Sequence, residues 1–76
     1  MPTQSELGDL IGEVNRQLYG RLHYFKVDPR EDGIVLLGSA PSFYIKQLAL
    51  HAARQLSPVP ILSNEIAVDP RWLSGG

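Results

Sequence analysis

Few side chains here could do chemistry. The imidazoles are His23 and His51, and Ser39 and Ser42 are the hydroxyls nearest Gly38. A hydrolytic triad needs a nucleophile, a base and an orienting acid held together. Ser39 and Ser42 stand instead where a strand runs into a helix, the setting of caps and turns. Two histidines without acidic partners at ligand spacing make a poor metal centre. The chain has no cysteine, which removes disulfides, thiolate zinc sites and a thiol nucleophile. Gly38-Ser39-Ala40-Pro41-Ser42 leads into a helix N-terminus, where free amides can hold an anion. It lacks the glycines and lysine of a phosphate loop, and Pro41 withholds a donor. The expectation is a tight strand-to-helix connection, with Gly38 marking a close approach of a helix backbone. No catalytic residue, metal ligand or cofactor is expected.

The elements that position these residues follow from periodicity. Thr3-Gln4-Ser5-Glu6 fits a capping box. Leu7, Leu10, Ile11, Val14 and Leu18 then form one helical stripe, which predicts a helix at about 4–19 with Gly20 as its stop. Residues 22–28 alternate as a strand, with His23, Phe25 and Val27 on one face and Tyr24, Lys26 and Asp28 on the other. Pro29 breaks it, and Gly33 is the expected left-handed turn position. Residues 34–40 form a second, antiparallel strand. Pro41-Ser42 opens a second helix, with Ser42 as cap or Pro41 in the first turn. Its buried stripe is Ile45, Leu48, Ala49, Ala52, Ala53 and Leu56, and Pro58 and Pro60 end it. Residues 61–68 form the third strand and 69–76 a tail.

The predicted order is therefore αββαβ. The expected fold is an α+β two-layer sandwich, with two helices on one face of a three-stranded mixed sheet. At 76 residues the chain is one domain, 1–76, with its core at about 4–68. A hydrophobic fraction of 43% and a charged fraction of 20% are those of a globular protein. Seven basic and eight acidic side chains leave a net charge of −1, which argues against a dedicated nucleic-acid binder. RNA binding also lacks a basic stripe and a Gly-x-x-Gly loop here. No apolar run approaches the roughly 20 residues of a membrane span. The N-terminus carries no basic segment of a signal peptide, so a cytoplasmic location is expected, or a periplasmic one for an excised fragment.

The stretch from Asp32 to Val68 resembles the BON domain. The likeness rests on Gly33, the apolar strand with Gly38, Pro41-Ser42 before the helix, and Asn64-Glu65-Ile66-Ala67-Val68 at the end. It extends over about residues 5–68. The hairpin from Pro29 to Gly33 departs from the usual pattern. BON domains are small αββαβ modules described as phospholipid-binding or attachment units, often in periplasmic or membrane-associated proteins. The resemblance implies a binding role and transfers no defined ligand site.

Two surfaces are candidates. If Ile34, Leu36, Ile66 and Val68 face the helices, then Val35, Leu37, Ile61 and Ala67 face away, beside Tyr24 and Lys26. An open antiparallel face is ordinarily polar, so this apolar one marks either a protein-partner or homodimer surface or a site covered by the tail with Trp72 and Leu73. On the second helix, Phe43 and Leu50 lie seven apart with Lys46 and Arg54 beside them, an arrangement able to touch a lipid headgroup region. The leading expectation is a non-catalytic interaction module using the sheet face. The alternative is phospholipid or membrane-surface binding.

Overall fold

The computed structural model describes residues 3–69. Its elements are α1 (Gln4–Gln17), β1 (His23–Arg30), β2 (Gly33–Ala40), α2 (Phe43–Leu56) and β3 (Ile61–Val68). The strands form one sheet in the order β1-β2-β3, with β1 antiparallel and β3 parallel to β2. Side chains of both helices share one core with one face of this sheet, as the α+β expectation required.

The capping box forms. The Glu6 amide donates to Thr3 Oγ1 and the Thr3 amide to Glu6 Oε1, each at 3.1 Å. Leu10, Val14 and Leu18 from the α1 stripe are buried, with Leu7 and Ile11 packed at the margin. The helix stops earlier than expected, in a Schellman closure. The Gly20 amide donates to the Asn15 carbonyl at 3.0 Å and the Tyr19 amide to the Arg16 carbonyl at 3.2 Å. The left-handed position that glycine ordinarily takes is held by Tyr19, at φ 55°, with Gly20 one residue behind it at φ 71°.

α2 is capped by Ser42, whose Oγ accepts from the Ile45 amide at 3.2 Å. Ala49, Ala52 and Ala53 are buried with Ile45, and their small size lets the helix lie close to its neighbours. Asn64 Nδ2 donates to the Lys46 carbonyl at 3.2 Å and ties α2 to β3. Ile34, Leu36, Ile66 and Val14 are the most completely buried large side chains.

The strands differ from expectation in three ways. β1 continues through Pro29 to Arg30, and Glu31-Asp32 alone make the turn. Proline is tolerated because β1 is an edge strand, where a missing donor can face outward. Gly33 is not the left-handed turn residue. It is bare because the Pro60 carbonyl arrives there to accept the Ile34 amide at 3.0 Å, and a Cβ on Gly33 would lie 2.3 Å from that oxygen. Gly38 is approached by a strand and not by a helix. A Cβ there would lie 3.0 Å from Phe25 Cα and 3.1 Å from the His23 carbonyl oxygen.

Two irregularities then change which side chains share a face. His23 pairs with Ser39 but Lys26 pairs with Leu37, so β1 holds one extra residue between them. Tyr24 lies in that bulge at φ 57°. Likewise Ile34 pairs with Ile61 but Val35 with Ser63, which leaves Leu62 extra in β3. A bulge reverses the alternation on either side of it.

Candidate functional site

The sheet face away from the helices is built by these registers. Across β2, Val35 stands between Asp28 and Ser63, Leu37 between Lys26 and Glu65, and Ser39 between His23 and Ala67. His23 therefore joins Lys26 and Asp28, and not Phe25 and Val27 as simple alternation had it. Ile61 leaves the face altogether. It pairs with Ile34 and packs against the core, because the extra residue at Leu62 inverts the parity of β3. The outer face is thus mixed and less apolar than expected. Val35 is only 4% exposed, Leu37 is half-buried, and Ala67 and Lys26 are exposed. Asp28 and Arg30 pair on it at 2.7 Å, and Ser63 Oγ donates to Glu65 at 3.2 Å. Trp72 and the rest of 70–76 lie outside the described residues.

The same register sets His23 beside Ser39, the one cross-strand pairing of an imidazole with a hydroxyl. Asp28, the next carboxylate along β1, is engaged by Arg30. His51 lies on the exposed flank of α2, within 3.3 Å of Gln55 Nε2. Among the described residues, no group of three or more His, Asp or Glu is placed to hold a metal ion. No helix among them is long and apolar enough to cross a membrane.

A feature not singled out from the sequence is the grouping of exposed aromatic rings at one end of the molecule. The C-terminus of α1 leads through a short link to the start of β1. That start pairs with the end of β2, which leads through Pro41-Ser42 into the start of α2. Tyr19, Tyr24, Phe43 and Tyr44 all lie at this end, and all are well exposed. Tyr19 and Tyr24 are 85% and 83% exposed and are the two non-glycine residues with positive φ among those described. The Tyr24 ring meets His23 edge-on, with centroids 6.2 Å apart. The sequence signal was available, since Tyr19-Gly20 follows the α1 stripe, but Gly20 reads simply as the stop of the helix.

The candidate lipid-contact residues Phe43, Lys46, Leu50 and Arg54 fall on one stripe of α2 at helical spacing. Phe43 and Arg54 are exposed and Lys46 half-buried, whereas Leu50 packs partly against the core.

At the opposite end, α1 and the end of α2 enclose a shallow groove of about 490 Å³, lined by Glu6, Asp9, Leu10, Glu13, Leu56 and Pro58. Its lining is part apolar and part acidic. Glu13 is paired with Arg16, whose guanidinium holds the Glu13 carboxyl below the usual carboxylate range. Asp9 has no ion-pair partner among the described residues.

No protein-family model, curated protein or solved structure matches the chain.

Proposed function

We propose that this chain is a non-catalytic interaction module that self-associates or docks on protein through its aromatic end. Tyr19 and Tyr24 carry the proposal. A bulky L-residue in the left-handed region costs about 1–2 kcal/mol, which is why glycine usually sits there. Both rings point into solvent, so burial of the side chain does not offset that strain, which at Tyr19 is met in part by the backbone hydrogen bonds of the Schellman closure. Strained residues of this kind cluster at active sites, ligand clamps and switch regions, and the exposed rings here are open to a partner. Tyrosine suits such a role, because its ring is large, rigid and polar at one tip. A BON-like attachment module agrees with this function.

Light scattering of the full chain up to about 1 mM, the concentration at which weak contacts register, tests it. A mass above that of the monomer is expected, and it should fall when both tyrosines are replaced by alanine. A strict monomer throughout would overturn self-association.

The α2 stripe supports a second function, contact with an anionic membrane surface. Lys46 and Arg54 would each contribute about 1 kcal/mol near anionic lipid. Co-sedimentation with anionic vesicles should be lost in Lys46→Glu/Arg54→Glu, and binding that survives both changes would sink this site.

A further inference from the structure

The two ends of the molecule are complementary to each other. The aromatic end carries Arg21 and Lys46, neither with an ion-pair partner among the described residues. It also presents the N-terminus of α2, whose first turn holds no acidic side chain and so leaves the positive end of the helix dipole uncompensated. Among the described residues, Asp69 is the carboxylate at this end, just past β3. The other end carries the groove, lined by Glu6, Asp9 and Glu13 together with the buried Leu10 and the exposed Leu56 and Pro58. The turn residues Glu31 and Asp32 add two more negative charges there, and these five carboxylates outnumber Arg54, in the last turn of α2, and Arg30, which is paired with Asp28. One end is thus aromatic and basic, and the other is concave, part apolar and acidic. A 14-residue helix keeps them roughly 20 Å apart, so one copy cannot satisfy both with itself.

We propose that copies of this chain associate head to tail, the acidic groove of one copy seating Phe43 and Tyr44 of the next, with Lys46 and Arg21 against its Asp9 side. This rests on the self-association proposed above and names the surface that receives the aromatic end. A groove of about 490 Å³ lies within the ~300–1,000 Å³ range of cavities that hold sizeable groups. The contact joins two different patches, so it is heterologous. It propagates into short chains or a ring, and each added copy presents a fresh free end.

Sedimentation velocity on the full chain from about 10 µM to about 1 mM tests this, a window suited to interfaces below ~1,200 Å². Asp9→Lys alters the groove and Phe43→Ser/Tyr44→Ser alters the other end. All three positions are exposed, so circular dichroism and melting should stay those of the parent. The parent should grow in mass with concentration and shrink toward monomer near 1 M salt, where screening acts within about 3 Å. Each variant alone should stay monomeric. An equimolar mixture should give a one-to-one pair that grows no further, because one intact groove meets one intact aromatic end. Loss of association only in Phe43→Ser/Tyr44→Ser, with Asp9→Lys unchanged, would overturn the groove and leave the aromatic end standing. Mixed variants that remain monomers would also overturn the head-to-tail arrangement. A parent that is monomeric throughout would overturn both proposals.

Discussion

Replacing Tyr19 or Tyr24 with glycine separates backbone strain from ring contact. Each residue sits near φ 56°, at 55° and 57°, with its ring more than four-fifths in solvent. Relieving the left-handed backbone returns about 1–2 kcal/mol. Glycine gives back about 0.5–1 kcal/mol of that through the extra freedom of the unfolded chain. Little burial is lost, so the net expectation is about 0.5–1 kcal/mol of stabilisation per site, or roughly 2–8 °C in Tm for a domain of this length. Alanine is the control, since it removes the ring but keeps the left-handed cost. Tyr19→Ala and Tyr24→Ala should therefore melt near the parent while the glycine variants melt above it. Both pairs should lose association equally. Stability follows the backbone and binding follows the ring. Thermal and urea denaturation read the first, and light scattering reads the second. Glycine variants no more stable than the alanine variants would refute the strain argument. Alanine variants that associate as well as the parent would refute the role of the rings.

Gly33→Ala should destabilise by about 2–4 kcal/mol, because its Cβ would lie 2.3 Å from the Pro60 carbonyl oxygen and displace the Ile34–Pro60 hydrogen bond, and calorimetry should show a Tm drop of at least 8 °C. Gly12→Ala should act in the opposite sense, gaining about 0.5–1 kcal/mol, because a Cβ there meets nothing within 4 Å and alanine suits a helix interior. Thr3→Ala should cost about 0.5–2 kcal/mol by removing the acceptor of the capping box, read as a lower urea midpoint. Because the hydrogen bond from Arg16 holds the folded Glu13 carboxyl below its ordinary range, the Glu13 contribution is present above the unfolded pKa and is lost as pH falls through the folded one. Carboxyl-carbon NMR should place the Glu13 midpoint below that of an unpaired glutamate in the parent and return it upward in Arg16→Gln; an unchanged midpoint would remove the pair as the cause.

The elements were legible in the sequence because each has a local cause. The α1 stripe and its capping box, the Ser42 cap and the terminating prolines all act within a few residues, and each formed where expected. The faces of the edge strands were not legible, because a bulge is decided by contacts distant in sequence. Gly38 announces a close approach, but which backbone comes close depends on β1 shedding one residue at Tyr24. Ile61 lies on the outward parity of β3 only if the strand is regular. The arrival of the Pro60 carbonyl at Gly33, and the extra residue at Leu62, turn it inward. The outer face lost an apolar member for that reason and gained His23. The aromatic end was hidden for a related reason. Its members are spread from Tyr19 to Tyr44, and only the hairpin register and the Pro41-Ser42 link bring them to one place.

The condition of the sheet edges bears on how copies can meet. An open three-stranded sheet has two free edges, and a regular edge strand invites pairing with another chain. β1 is interrupted by the Tyr24 bulge and by Pro29, which has no donor to offer. On β3 the Ile66 amide is taken by Asn64 Oδ1 at 3.3 Å, and Leu62 breaks the register near the start. An added strand would therefore meet irregular backbone on either side. The outer face is a weak alternative, since Lys26, Asp28, Arg30 and Glu65 surround Val35 and Leu37 and would need to be desolvated in any tight contact. The ends carry no such penalty. The rings of Phe43 and Tyr44 are already exposed, and the groove sets apolar side chains beside carboxylates that keep contact with water. Association that proceeds through the ends should thus tolerate Leu37→Lys on the outer face and an added proline on either edge strand's free side. Association through the sheet should be lost with the first of these.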